Sequence, residues 1–208
     1  MSMYQQPIVM LDFETTGLTP AAGARITEVA ALRIEGDRIV DRFVSLVNCH
    51  VRIPPFITGL TGITQQMVDR APCVSKVVPE LLRFIGEHPL SAHNASFDEK
   101  FLIAESRDLG LMPRHRHLLC SLKLSRRVFP GLPSYKLGML SSSLGIRFSG
   151  NAHRAEADAE VSAEVLLQIG AHLKTHYRVP QVDAALLARV AGLSAAKVPA
   201  FLRSQAVH

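Results

Sequence analysis

Ile8-Val9-Met10-Leu11-Asp12-Phe13-Glu14-Thr15-Thr16-Gly17-Leu18 runs from four uninterrupted apolar residues into two carboxylates and a Thr-Thr-Gly turn. Four apolar residues in a row predict a strand covered on both faces, hence a central one. Side chains alternate along a strand, so Asp12 and Glu14 project to the same side as Ile8 and Met10. Two neighbouring carboxylates beside a core face repel each other and lose hydration, which favours protonating one of them. A divalent cation removes that conflict, and hard ions such as Mg²⁺ or Mn²⁺ prefer carboxylate oxygens. The same residues admit a plainer reading, in which the strand ends at Leu11 and both acids face water. Asp-x-Glu is a common pair, so the rest of the chain decides between the two.

Working outward, residues 26–34 and 39–47 read as two strands around the turn signal Glu35-Gly36-Asp37, and with residues 8–14 they make a three-strand meander. Residues 52–64 are loop-like, with Pro54-Pro55, and a short helix is expected over 65–69. Apolar spacing at Val77, Val78, Leu81, Leu82 and Ile85 predicts an amphipathic helix over 74–86. A short strand at 90–93 leads into a helix over 97–109, whose start the Ser96-Phe97-Asp98-Glu99 capping box sets. Helices follow at 121–128, 135–144 and 154–177. Pro180 marks a boundary, with two short helices beyond it at 182–191 and 194–203. Strands first, then alternating helix and strand, indicate an α/β fold with a mixed central sheet flanked by helices. The expected division is a domain over 1–178 and a short helical C-terminal appendage over 179–208.

A chain of 208 residues has room for one such domain. Hydrophobic residues at 48% and charged residues at 20% exclude wholesale disorder. Lys and Arg number 23 against 18 Asp and Glu, giving +5 and a pI of about 9.4. A basic chain that clusters its acids at specific points fits a polyanionic substrate gripped around a metal centre, although a merely soluble basic surface fits the same excess. Cys49, Cys73 and Cys120 are odd in number and widely spaced, which argues against a disulfide framework or a zinc site and for a reducing compartment. No apolar run approaches the ~18 residues of a membrane span. The N-terminus lacks a basic segment followed by a long apolar one, so no signal peptide is expected. A soluble, cytoplasmic protein is the expectation.

Three further residues carry chemistry. Asp98 lies in the first turn of its helix, where the macrodipole alone favours a carboxylate. It also shares a face with Phe101 and Leu102, and so points inward at the end of a strand, where sites in α/β sheets lie. His153 and Asp158 would point about 140° apart on one helix. The tidier placement puts His153 on the preceding loop and Asp158 near the first turn, on the apolar face of Val161, Ser162, Val165 and Ile169. A carboxylate on a buried face is costly unless something neutralises it. Glu156, Glu160 and Glu164 repeat on the solvated side and are assigned no function.

Asp12-Phe13-Glu14-Thr15-Thr16-Gly17-Leu18, then His93-Asn94-Ala95-Ser96-Phe97-Asp98, then His153 with Asp158 in that order resembles the DEDDh exonucleases. Within them it is similar to the DnaQ-like group, which includes the proofreading subunits and domains of bacterial replicative polymerases. Leu60-Thr61-Gly62-Ile63-Thr64 looks like that group's loop after the third strand, and residues 135–146 look like its helix before the last motif. The resemblance covers about residues 7–177. It implies an RNase H-like exonuclease fold and 3′→5′ removal of nucleotides, as nucleoside 5′-monophosphates, in DNA proofreading or repair. It implies that Asp12, Glu14 and Asp158 hold two divalent cations, Mg²⁺ or Mn²⁺, with Asp98 helping, and that His153 is the general base. An imidazole, which ordinarily titrates near about 6.5, suits that task.

For binding, the resemblance places Thr15, Thr16 and Leu18 against the terminal nucleotide and Ile63 against a base. Many relatives carry a His where this chain has Thr61. Lys136, Arg126 and Arg127 are candidates for phosphate contacts and equally for solvated charge. Glu28 resembles a common family acid and is read as structural. The implied partner is nucleic acid with a single-stranded 3′ end, DNA ahead of RNA. Two other readings stay open: a polymerase-accessory subunit that docks through residues 182–203, and an enzyme acting on RNA or short oligonucleotides.

Overall fold

The computed structural model describes residues 4–147, 150 and 152–206. Its strands are β1 (Tyr4–Thr15), β2 (Ile26–Gly36), β3 (Arg38–Leu46), β4 (Leu90–Ala92) and β5 (Leu118–Cys120). They form one sheet in the order β3-β2-β1-β4-β5. The first three pair antiparallel as the expected meander, whereas β4 and β5 run parallel to β1. The central strand is therefore β1, and the sheet is mixed.

The helices are α1 (Pro55–Thr61), α2 (Gln65–Asp69), α3 (Val74–Ile85), α4 (Ser96–Asp108), α5 (Ser121–Val128), α6 (Leu137–Ser143), α7 (Ala155–His176), α8 (Ala184–Gly192) and α9 (Val198–Ser204). Alternation along β1 sorts them into two layers. Val9, Leu11 and Phe13 face α3 and α4 in one apolar cluster, which also encloses Ile57 and Ile63. Ile8 and Met10 face the other way, into a cluster with Val165, Leu166 and Ile169 of α7. Asp12 and Glu14 continue that second row, so the strand period alone aims them at α7.

Two local expectations need correction, and one strand went unread. Residues 52–64 are not all loop. Pro54 takes the extended cap position and Pro55 the first helical one, where its missing N–H costs nothing, and α1 runs to a left-handed Gly62 (φ 72°). The start of α4 is not set by a Ser96–Glu99 box, because Ser96 is already inside the helix and Ala95 holds the cap position without a side-chain bond. Asn94, at φ 67°, makes the turn instead, its carbonyl accepting from Phe97 N–H at 2.8 Å. Strand β5 is too short to have left a periodic signal.

Beyond Pro180 the chain returns to the core. Val182 bridges Tyr4 beside β1, and Leu187, Val190, Val198 and Leu202 are buried in the same cluster as α7. Among the described residues no helix is long and apolar enough to cross a membrane.

Candidate active site

Four carboxylates converge where β1, α4 and α7 meet. Asp12 and Glu14 leave the C-terminal half of β1, and Asp158 sits in the first turn of α7. One carboxylate oxygen from each of the three lies within 4.8 Å of the others. Asp98 comes from the first turn of α4 and is 3% exposed. Its Oδ1 accepts from the backbone N–H of Phe13 at 3.2 Å, which seats it between the two acids of β1. Phe101 and Leu102 on the same helical face are fully buried and hold that aim.

The electrostatics are those of a site missing positive charge. Burial, then the neighbouring Asp98, Asp158, Glu14 and Glu28, push Asp12 well above the usual carboxylate range. Burial and the charges of Asp158 and Glu28 raise Glu14 to about 8, with Arg154 pulling the other way. Burial likewise raises Asp98, against the opposing bond from Phe13 N–H, and raises Asp158, against its bond from His153. Oxygen donors at this spacing, which resist ionisation together, are what a hard divalent cation stabilises. The donor set fits such an ion.

His153 stands apart. It is exposed, on the loop just before α7, in the left-handed region at φ 63°. That conformation costs a non-glycine residue about 1–3 kcal/mol and persists only where the surroundings enforce it. Its backbone N–H donates to Asp158 Oδ2 at 3.1 Å, so histidine and acid are tied together. Arg154 and Ala155, the next two residues, are both bound to Glu28 of β2. Read from the sequence, Glu28 is structural, and no local pattern shows its partner Arg154, 126 positions away.

The residues expected to bind substrate divide. Leu18 is 81% exposed at the turn beyond β1, and its carbonyl accepts from Lys100 Nζ of α4 at 2.6 Å. Thr15 and Thr16 are buried and their hydroxyls are committed to the turn. Thr15 Oγ1 donates to Gly17 O at 2.7 Å, and Thr16 Oγ1 accepts from Arg25 N–H at 2.9 Å. Ile63 is a correction: it is fully buried in the apolar cluster on the α3 and α4 side of the sheet and presents no surface to a base. A Thr-Gly-Ile-Thr loop read alone does not reveal that its isoleucine turns inward. His93, just before Asn94, fastens the neighbouring wall, with Nε2 2.9 Å from Tyr135 O and Nδ1 2.9 Å from Ser121 Oγ. Burial, with the nearby Arg126 charge, lowers its pKa, against the opposing bond to Tyr135.

A mixed sheet with this acid cluster at the end of its central strand defines a nuclease domain of the RNase H-like class. The family model described as Exonuclease matches residues 9–166, and the chain belongs to that family, in its DnaQ-like branch. The "3'-5' exonuclease DinG" of Bacillus subtilis (strain 168) is 38% identical over 167 residues, 80% of this chain but 18% of that protein. The chain therefore spans under a fifth of that relative's length. The "DNA polymerase III subunit epsilon" of Aquifex aeolicus is 35% identical over 161 residues, 77% of this chain and 79% of the relative. Among solved structures, "Exonuclease X in complex with 5' overhanging duplex DNA" superposes with a TM-score of 0.68 at 26% identity, covering 89% of this chain and 99% of that one.

Proposed function

We propose that this chain is a metal-dependent 3′→5′ exonuclease that removes nucleoside 5′-monophosphates from single-stranded 3′ ends of DNA, in proofreading or repair. The observation that carries the reading is the convergence of Asp12, Glu14 and Asp158 within 4.8 Å, with Asp98 bound behind them. Similarity to a polymerase III epsilon subunit and to an exonuclease in complex with duplex DNA supports DNA as the substrate.

Asp12, Glu14 and Asp158 would hold two divalent cations, Mg²⁺ or Mn²⁺, with Asp98 assisting from the buried side. Bound there, such cations stabilise the attacking and leaving oxygens of an in-line phosphoryl displacement. His153 takes the proton of the attacking water at its imidazole, and its exposed loop leaves the ring free to meet substrate. Leu18 offers an apolar edge to the terminal base. Thr15 and Thr16 act on the same nucleotide through the turn they brace, and Lys136, Arg126 and Arg127 are candidates for phosphate contacts and equally for solvated charge. A DNA-processing role and three free cysteines fit the reducing cytoplasm.

A second reading is favoured by one observation, the match to a polymerase subunit over 77% of this chain and 79% of that relative. On that reading the chain also docks a polymerase. The helices beyond residue 178 would then brace the exonuclease domain as well as meet a partner, because their apolar faces lie in its core.

A time course on 5′-labelled single-stranded DNA and RNA of one sequence, with Mg²⁺, Mn²⁺ or EDTA, tests the proposal. The expected result is a metal-dependent ladder that shortens one nucleotide at a time and is stronger on DNA. A ladder that favours RNA moves the substrate class; no cleavage by folded protein with either metal overturns the enzymatic reading.

A further inference from the structure

One buried carboxylate in the site has no role in the reaction proposed above. Glu28 lies on β2 directly opposite Glu14 in the antiparallel register and is 3% exposed. Its charge adds to the repulsion on Asp12, Glu14 and Asp158. By residue type and position it is a candidate fifth ligand. Its contacts argue otherwise. Glu28 Oε2 accepts from Arg154 Nε at 3.0 Å and from the backbone N–H of Ala155 at 2.9 Å, while Oε1 accepts from Arg154 Nη2 at 2.5 Å. Both oxygens are thus engaged by the two residues that follow His153.

Each bond answers a need of the chain there. The first N–H groups of a helix lack partners within it. The cap position of α7 is Arg154, which supplies no capping bond, and Glu28 reaches across from the sheet to satisfy Ala155. A forked arginine–carboxylate pair fixes orientation as well as distance. It does so beside a residue held at φ 63°, a conformation that must be enforced. His153 N–H in turn binds Asp158 Oδ2 at 3.1 Å. From β2, then, a continuous chain of bonds runs through Arg154 to the histidine loop and the last acid.

We propose that Glu28 and Arg154 form a positioning latch that docks the start of α7 on the sheet and sets the placement of His153 and Asp158, with Glu28 serving as anchor and not as metal ligand. The catalytic consequence rests on the exonuclease reading; the latch itself does not.

The test compares Arg154→Gln, Glu28→Gln, the double variant and Arg154→Lys by amide hydrogen exchange, steady-state kinetics and Mn²⁺ calorimetry. Exchange over residues 152–158 should accelerate by about tenfold or more in the two Gln variants, while the C-terminal half of α7 keeps its protection. kcat should fall by about 10- to 100-fold in each, the usual loss for a residue that orients a site. KM should stay within roughly threefold. The double variant should be no worse than the worse single one, since the two residues act as a unit. Arg154→Lys, which keeps the charge and loses the fork, should fall between wild type and Arg154→Gln. Any loss of Mn²⁺ affinity should be equal in the two Gln variants. Loss of Mn²⁺ affinity in Glu28→Gln alone, with wild-type exchange and kcat in Arg154→Gln, would overturn the latch and make Glu28 a ligand. Should Glu28→Gln not fold, Arg154→Gln decides by the same exchange and kcat readings, its side chain being 37% exposed. A wild-type chain inactive on DNA and RNA defeats the exonuclease reading, and exchange over 152–158 still decides the latch.

Discussion

Asp12 and Glu14 leave a strand paired to β2 on one side and to β4 on the other, between two apolar clusters, and the sheet aims them without further help. His153 has none of that. It lies on an exposed loop in the left-handed region, tied down by one bond to Asp158 and by the Glu28 anchor at the next two residues. One part of the site inherits its geometry from the core and the other from a few polar contacts. The acids must endure mutual repulsion without moving, which calls for a stiff support. A proton acceptor must meet a substrate that comes and goes, and a lightly held loop permits that. Damage to the first region should therefore strike cation binding, and damage to the second should strike turnover.

Asp12→Asn should show the largest effect: activity on a single-stranded oligonucleotide lower by about a thousandfold or more, the scale of loss seen when a catalytic unit is broken. The metal-free variant should also melt higher than wild type, because a repelled, buried charge is removed. A fully active variant would end the metal assignment. His153→Ala should lower kcat by about 10² to 10⁴, the usual worth of a positioned general base, while Mn²⁺ affinity stays near wild type. Equal losses of turnover and affinity would erase the contrast between the two regions.

Without metal, stability should depend on pH in a direction set by the acids. Glu14 is raised from 4.5 to about 8, and Asp12, Asp98 and Asp158 shift the same way. A carboxyl with a raised pKa in the fold contributes its full stability below the unfolded value and loses it as pH rises through the folded one. Melting temperature should therefore fall between about pH 4.5 and pH 8, and saturating Mg²⁺ should flatten the curve. A flat metal-free curve would mean the four carboxylates do not repel. The smallest effect belongs to Leu18→Ala, where KM should rise by roughly threefold to tenfold with kcat unchanged, as for loss of a contact made equally in ground and transition states.

What the amino-acid order revealed follows the same division. The two-residue period of residues 8–14 placed Asp12 and Glu14 on the face of Ile8 and Met10, and that face meets α7. The helical period placed Asp158 with Val161, Ser162, Val165 and Ile169, all buried. Periodicity encodes faces, so the core-built half of the site was legible. The Glu28–Arg154 pairing spans residues 126 positions apart and depends on a meeting of β2 with α7 that no local pattern records. Ile63 was misplaced for a related reason: an apolar residue in a loop motif can point either way, and only the tertiary core it joins settles which. The helix at Pro55–Thr61 was hidden because a double proline reads as coil unless the second is seen at the first helical position.

The central claim is that Asp12, Glu14 and Asp158 form a cation site whose acids are held partly protonated until metal arrives. Calorimetric titration of Mn²⁺ into metal-stripped protein at about pH 7.5, in buffers of differing ionisation enthalpy, tests it most directly. Wild type should bind Mn²⁺ and release protons as it does so, because Glu14 at about 8 and the raised Asp12 must ionise, and Asp12→Asn should lose both signals. Binding with no proton release, or equal binding by wild type and Asp12→Asn, would contradict the account.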